Sequence, residues 1–169
     1  MNLFLQGGEV ATENDAPQRA DVWILDGVIK NVGFIDVPEG ARVIDCAGKI
    51  VMPGMFDAHV HFREPGQEKK ETILDGTEAA INGGITGVVM MPNTSPSVDS
   101  PTVVKRVLEQ GGKCRIPVLT SACITVDRAG HEMAPIAGLK EAGILMLTDD
   151  GDAVPNAALL KRAMEYGKE

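Results

Sequence analysis

The sequence has little cysteine and no excess of positive charge. Its three cysteines, Cys46, Cys114 and Cys123, are odd in number and far apart, so they predict neither a disulfide framework nor a thiolate zinc knuckle. The 16 Lys and Arg residues stand against 24 Asp and Glu, for a formal net charge of -8, which disfavours nucleic acid and anionic membranes as partners. No apolar run approaches the roughly 20 residues of a membrane span, and the first residues lack a secretory signal pattern. We therefore expect a soluble cytoplasmic protein with reduced thiols.

The first 52 residues read as short strands separated by turn residues. The pair Asp26-Gly27 lies between two apolar strand patterns and predicts a two-residue hairpin turn, because both central positions of such a turn need positive φ. Gly7-Gly8 is expected to end the first strand, and Pro53-Gly54 marks a change of period. Residues 1–52 are therefore assigned to a small β domain, and residues 53–169 to a second domain.

In the second domain, strand-length apolar runs alternate with helical patterns. Each predicted helix is followed by a glycine, where a left-handed cap costs least. The spacing predicts four successive βα units of a parallel sheet. The strands are expected at 55–62, 87–91, 116–124 and 144–147, and the helices at 70–82, 101–110, 134–142 and 156–166.

Four βα units make half of a closed (β/α)8 barrel, which takes eight units and about 250 residues. An open set of four parallel strands would leave two long edges exposed. The fold class predicted is therefore α/β, the first half of a TIM barrel preceded by a small β portion, in a chain of 169 residues that is incomplete or pairs with another chain. A complete doubly wound four-stranded domain is the alternative.

The first barrel strand carries the most informative residues. Asp57, His59 and His61 alternate along it, and alternate residues of a strand share one face. Two imidazoles about 7 Å apart on one face can converge on a divalent ion, and they lie at the carboxyl end of the strand, where barrel enzymes place their sites. Imidazole nitrogen suits zinc, whose catalytic sites use about three protein ligands.

The third ligand is expected at the end of the fourth strand. Thr148-Asp149-Asp150-Gly151 places two carboxylates there. Either could reach the same rim as the histidines. A solvated turn or a helix cap is the competing interpretation of this segment.

Two further residues point to an anionic small-molecule substrate. Arg63 follows the histidines and has a planar guanidinium suited to a carboxylate, although an ion pair with Glu64 or Glu68 is the alternative. Asn93, after the second strand, can donate to a substrate oxygen, although turn formation explains it equally well.

These segments together resemble a known family. The motifs Pro53–Gly66, Glu71-Thr72-Ile73, Gly83–Thr86, Met91–Thr94 and Thr148–Gly151 are similar to the N-terminal part of bacterial class I dihydroorotases of the amidohydrolase superfamily. The resemblance spans nearly the whole chain. It implies a (β/α)8 barrel with a flanking β-sandwich and one or two zinc ions. The implied reaction is the reversible cyclisation of N-carbamoyl-L-aspartate to L-dihydroorotate in pyrimidine biosynthesis.

Carried over by position, the resemblance makes His59, His61 and Asp150 metal ligands, with Asp149 the less favoured carboxylate. Arg63 and Asn93 match residues that hold the substrate carboxylate. The resemblance also implies further histidine ligands and a proton-shuttling aspartate beyond Glu169, so no catalytic residue is assigned within the chain. The 169-residue chain alone is expected to be inactive and to bind metal weakly at best.

Two alternatives remain open at this point. A hydantoinase, dihydropyrimidinase or allantoinase shares the barrel and the two histidines, but usually places a lysine at the fourth strand, and 144–151 contains none. A non-catalytic dihydroorotase-like scaffold of aspartate transcarbamoylase would need no metal ligands. The expected partners are the small-molecule substrate and the missing half of the barrel or another chain, with a homodimer or transcarbamoylase assembly possible.

Overall fold

A computed structural model describes residues 1–12 and 16–168, and these form two compact units. The first unit is Met1–Pro53 and the second begins at Gly54. None of the helices in these described ranges has the length and apolar character needed to cross a bilayer.

The first unit is a mixed sheet centred on its first strand. Its order is β3-β2-β1-β4, and β5 also pairs with β1; β1 runs antiparallel to β2 and parallel to β4 and β5. The strands are β1 (Asn2–Val10), β2 (Gln18–Leu25), β3 (Val28–Gly33), β4 (Arg42–Asp45) and β5 (Ile50–Val51). The assignment of 1–52 to part of a β-sandwich stays a prediction.

Two glycine-containing pairs in this unit behave differently. The hairpin predicted at Asp26-Gly27 is confirmed, with φ of 52° and 77° at the two residues. The strand end predicted at Gly7-Gly8 is wrong, because β1 continues to Val10 with a shift of register between Leu5 and Gly8. At the shift, Gly7 has φ of 71° and its N–H donates to Asp21 Oδ1 at 2.7 Å. The strand accommodates this shift because glycine adopts positive φ easily and the displaced amide finds a side-chain acceptor.

The second unit alternates parallel strands with helices. Its sheet has the order β6-β7-β8-β9, all parallel, as the four predicted βα units require. A 3₁₀ turn at Val126–Arg128 follows β8. The elements are β6 (Met55–Val60), α1 (Ile73–Asn82), β7 (Ile85–Met90), α2 (Pro101–Gly111), β8 (Val118–Ala122), α3 (Ile136–Ala142), β9 (Met146–Leu147) and α4 (Ala157–Tyr166).

The predicted element ends differ from the observed ones for local reasons. The helix expected from residue 70 begins at Ile73, because Thr72 caps it by accepting from Asp75 N–H at 3.0 Å. The left-handed glycine expected after each helix occurs after α1 at Gly84, with φ of 84°, and after α3 at Gly143, with φ of 102°. Gly112 and Gly167 instead keep right-handed helical backbone, so α2 and α4 end without a left-handed cap.

The core of this unit lies between the sheet and its helices. Val88 and Met90 of β7 are fully buried, and the helices contribute apolar side chains to the same cluster. Burial of this set fixes the carboxyl ends of the strands, and therefore the loops that follow them, on a packed base. The fully buried helical members are Val104, Val107 and Leu139, with Ile73 at 1% exposure.

Candidate metal centre

His59 and His61 meet at the carboxyl end of β6. Their Nε2 atoms lie 3.2 Å apart, and the ring centroids are 5.0 Å apart with an interplanar angle of 66°. The side chain of His59 is 58% exposed and that of His61 is 36% exposed. Two nitrogens that could each carry a lone pair therefore face the same accessible point.

An irregular stretch of β6 orients these histidines. The register between β6 and β7 shifts between Asp57 and Val60. The N–H of His59 donates instead to Asp57 Oδ1 at 3.0 Å. Asp57 lies outside the histidine and carboxylate cluster described below, so its role in the structure is to satisfy the backbone at the bend.

Asp150 follows β9, which lies at the opposite edge of the sheet from the strand of the histidines. Neighbouring strands lie about 4.8 Å apart, so three steps across a flat sheet would separate β6 from β9 by about 14 Å. His59 Nε2 nevertheless lies 3.2 Å from Asp150 Oδ1, and His61 Nδ1 lies 3.6 Å from Asp150 Oδ2. The side chains span part of the distance, and the curl of the half-barrel sheet closes the rest.

Asn93, which follows β7, links the two sides of this cluster. Its Nδ2 donates to Asp150 Oδ2 at 3.0 Å, and its Oδ1 lies 3.0 Å from His61 Nδ1. Because an ionised carboxylate and an amide oxygen only accept hydrogen bonds, this pairing puts the proton of a neutral His61 ring on Nδ1. Nε2 of His61 is then the nitrogen with a free lone pair, and it is the atom that faces His59.

The donor set fits a small divalent cation. One ligand atom from each of His59, His61 and Asp150 lies within 4.8 Å of the others. Zinc bonds of 2.0–2.1 Å at tetrahedral angles place ligand atoms about 3.3–3.4 Å apart, close to the 3.2 Å found for both His59–His61 and His59–Asp150. Two imidazoles and one carboxylate are a set that zinc accepts.

Asp149 has a different environment from its neighbour. It is 3% exposed. Its Oδ1 accepts from the N–H groups of Ile124 and Thr125 at 2.8 and 3.0 Å, and its Oδ2 accepts from Thr125 Oγ1 at 2.5 Å. This carboxylate is committed to the loop after β8, and Asp150 alone of the pair faces the histidines.

Arg63 is half-buried on the loop after β6 and forms no ion pair with any residue in the described ranges. Glu64, a predicted alternative partner, accepts instead from Ile73 N–H at the start of α1, at 3.0 Å. Glu68, the other one, accepts from Gly66 N–H at 2.9 Å and lies 3.6 Å from Arg106. The hydrogen bonds to backbone amides lower the pKa of Glu68.

One contact to the cluster escaped sequence reasoning. Arg128, in the 3₁₀ turn after β8, donates through Nη1 to the carbonyl of Asp150 at 3.0 Å and to Asp152 Oδ2 at 2.8 Å. Nothing in the local pattern marks Arg128, because its partners lie more than 20 positions further along the chain. His131, interpreted as a surface residue, is exposed.

Comparison with known proteins places this geometry in a family. A family model described as dihydro-orotase-like matches residues 48–168. The chain is 42% identical over 167 residues to the dihydroorotase of Pelotomaculum thermopropionicum and 41% identical over 171 residues to that of Citrifermentans bemidjiense. These matches cover 98% and 99% of the chain but only 39% and 40% of the relatives.

The fold agrees with this assignment. The L-hydantoinase of Arthrobacter aurescens superposes with a TM-score of 0.78 at 21% identity, over 94% of this chain and 36% of that enzyme. The predicted fold class is thereby confirmed, and the alternative of a complete doubly wound domain is not supported. Since a family model covers most of its length and the sequence relatives cover nearly all of it, the chain belongs to the dihydroorotase-like family of the amidohydrolase fold.

Proposed function

We propose that this chain forms the first part of a metal-dependent dihydroorotase, which interconverts N-carbamoyl-L-aspartate and L-dihydroorotate in pyrimidine biosynthesis. The observation that carries the proposal is the convergence of His59 Nε2, His61 Nε2 and Asp150 Oδ1 from the first and last strands of the sheet. Curated relatives named dihydroorotase support the same activity. Because the chain spans about 40% of their length, the complete active site includes residues from outside this chain.

In this proposal His59, His61 and Asp150 hold one cation, with zinc as the metal, and the complete site holds one or two ions. When bound, such a cation supplies Lewis acidity, which polarises a carbonyl and makes water nucleophilic near neutral pH. The carboxylate of Asp150, 3.2 Å from His59 Nε2, would neutralise part of the positive charge of the cation. Asn93 keeps the proton of a neutral His61 ring on Nδ1 and so leaves Nε2 free for the cation.

The substrate carboxylate is assigned to Arg63 and Asn93. Arg63 has a guanidinium with no carboxylate partner among the described residues, so it is free to form a bidentate pair with an acid. Asn93 uses one of its two amide hydrogens on Asp150, and the second remains for a substrate oxygen. A small anionic substrate and a cytoplasmic location follow from the same proposal.

The decisive experiment uses the purified full-length protein. After loading with zinc, we expect hydrolysis of L-dihydroorotate and the reverse cyclisation. Arg63→Ala should raise KM about 10- to 100-fold, as expected for loss of a charge-assisted bidentate contact. Arg115→Ala, which removes an exposed arginine paired with Glu78, is the matched control and should leave KM unchanged.

Two other activities are outcomes of the same experiment. Turnover of hydantoin or allantoin without turnover of dihydroorotate would replace the proposal by a hydantoinase or allantoinase. The carboxylate of Asp150, in place of a lysine at the fourth strand, argues against that result. A protein that binds no metal and turns over none of these substrates would be a scaffold of the kind that accompanies aspartate transcarbamoylase.

A further inference from the structure

The carboxylate of Asp150 lies in the turn after β9, and the loop after β8 anchors this turn on both sides of Asp150. β9 ends at Leu147, so residues 148–152 have no strand partner of their own beyond Thr148 N–H, which donates to the carbonyl of Ala122. The side chain of Asp150 can face the histidines only if this turn keeps one conformation. What fixes the turn therefore controls the cluster.

The first anchor precedes Asp150. The buried carboxylate of Asp149 accepts three hydrogen bonds from Ile124 and Thr125. Thr125 Oγ1 in turn accepts from Gly130 N–H at 2.9 Å. The loop after β8 and the turn after β9 are thereby joined on the N-terminal side of Asp150.

The second anchor follows Asp150 and comes from Arg128. Its Nη1 reaches both the Asp150 carbonyl and the Asp152 carboxylate, at 3.0 and 2.8 Å. The side chain of Arg128 is 23% exposed, against 52% for Asp152. Arg128 Nε is buried and has no hydrogen-bond partner among the residues that the structure describes, so the hydrogen bonds that hold the guanidinium are those of Nη1.

The backbone that presents Arg128 is strained. Asp127 and Arg128 have φ of 52° and 60°, in the left-handed region that residues with a side chain rarely adopt. The N–H of Asp127 is held by Asp99 Oδ2 at 2.9 Å. Strained backbone persists where the surrounding structure determines it, and it concentrates at functional sites.

We propose that Arg128 is a positioning residue for the metal centre. By gripping the Asp150 carbonyl and Asp152 it closes the turn after β9, so that the Asp150 carboxylate points at His59 and His61. The inference rests on the proposed function, because it concerns the cation that these residues would hold. Arg128 touches neither the histidines nor the Asp150 carboxylate, and it acts only through the backbone of the turn.

The test measures zinc affinity of the full protein by competition with a chromophoric chelator, together with the absorption spectrum of the cobalt-substituted protein. Residues that orient metal ligands typically contribute about 10- to 100-fold to affinity, and we expect a loss in that range for Arg128→Ala. The cobalt spectrum should change as the carboxylate becomes disordered. Arg115→Ala, which breaks an ion pair with Glu78, should leave both readouts at their wild-type values.

A double-mutant cycle separates positioning from general stabilisation. If Arg128 acts through Asp150, Arg128→Ala should cause no additional loss of zinc affinity in an Asp150→Ala background. A loss of equal size in both backgrounds would overturn the proposal. If Arg128→Ala does not fold, Asp152→Asn replaces it, because Asp152 is the exposed carboxylate that Arg128 pairs with. We expect a severalfold loss of zinc affinity in Asp152→Asn. An unchanged zinc affinity would overturn the proposal.

The cycle also distinguishes the two levels of inference. Wild-type protein that binds no zinc would contradict the proposed function. Wild-type protein that binds zinc, with Arg128→Ala folded and equal to it in affinity and cobalt spectrum, would contradict the role of Arg128 alone.

Discussion

Asn93 Oδ1 lies 3.0 Å from His61 Nδ1, while Asn93 Nδ2 donates to Asp150 Oδ2 at the same distance. One amide thus orients both His61, which follows β6, and Asp150, which follows β9. Its two ends differ chemically, and only one orientation of the amide suits both neighbours. Asn93 therefore selects which nitrogen of His61 is free to bind a cation.

Replacing Asn93 should weaken metal binding before any substrate is present. Asn93→Ala leaves His61 free to rotate and to change tautomer, and we expect about 10- to 100-fold lower zinc affinity, measured by chelator competition. Asn82→Ala is the control, because Asn82 is exposed and its side chain donates to the carbonyl of Glu78, within its own helix. Equal affinities in Asn93→Ala and the wild type would mean that the amide serves the substrate alone.

Replacing Asp149 should lower the stability of the fold, whereas replacing its neighbour Asp150 should lower the zinc affinity. Asp149→Ala leaves three hydrogen-bond donors without their acceptor in a buried loop, and should lower the free energy of unfolding by about 3 kcal/mol or more. Asp150→Ala should change the metal-free stability by less than about 1 kcal/mol and lower the zinc affinity strongly, to a weak level that chelator competition still measures. Denaturant unfolding and zinc titration of both variants measure the two effects, and the reverse pattern would exchange the two roles.

Gly66 should not tolerate a side chain. Its φ is +98°, and a Cβ built there would lie 1.7 Å from the carbonyl oxygen of Ser95. We expect Gly66→Ala to lower the free energy of unfolding by more than about 1 kcal/mol, through left-handed strain and this clash together. Gly84→Ala is the matched control, since Gly84 has φ of +84° with only Met55 Cε nearby, at 3.9 Å. Equal losses in the two variants would show that the contact with Ser95 relaxes freely.

The thiol of Cys123 should be unreactive while the protein is folded. Burial, followed by the negative charge of Asp149, raises its pKa to about 12 from the ordinary value of 9.0. Cys114 is only partly buried, and it should react first with a thiol reagent. Reaction of Cys123 in folded protein at the rate seen after denaturation would contradict the burial described above.

The same pKa shift makes stability depend on alkaline pH. Between about 9 and 12 the folded state keeps the proton of Cys123 and the unfolded state loses it. The stabilising contribution is therefore complete below about 9 and is lost as the pH rises toward 12. Denaturant midpoints of the wild type and Cys123→Ala across this range should show a shallower decline in the variant.

Residues 1–169 alone should bind zinc weakly and show no turnover of dihydroorotate. The described residues supply one group of three ligand side chains at the edge of a half-barrel sheet, and the family relatives are about two and a half times longer than the region matched. Assays of purified 1–169 beside the full gene product test this. Turnover by 1–169 equal to that of the full product would overturn it.

Much of the fold was predictable because its signals are local. The hairpin at Asp26-Gly27 follows from the φ values that its turn requires. The spacing of His59 and His61 predicted a shared side, and their rings do meet. These patterns need no knowledge of what the chain packs against.

The rest depends on contacts between distant segments. Asp149 and Asp150 have the same side chain, and only the loop after β8 determines which one is buried. The bond from Asn93 to His61 and the grip of Arg128 on the Asp150 carbonyl join separate βα units. Composition and periodicity carry no record of such pairings.

The parallel order of the second sheet has a kinetic consequence. His59 and Asp150 are separated by 91 positions in the chain (150 minus 59), and β7 and β8 lie between their strands in the sheet. Contacts of such large sequence separation form slowly, because the entropy of closing the loop is lost before any contact forms. Appearance of the zinc affinity during refolding would therefore time the arrival of the fourth strand, after the helices have gained their circular dichroism signal.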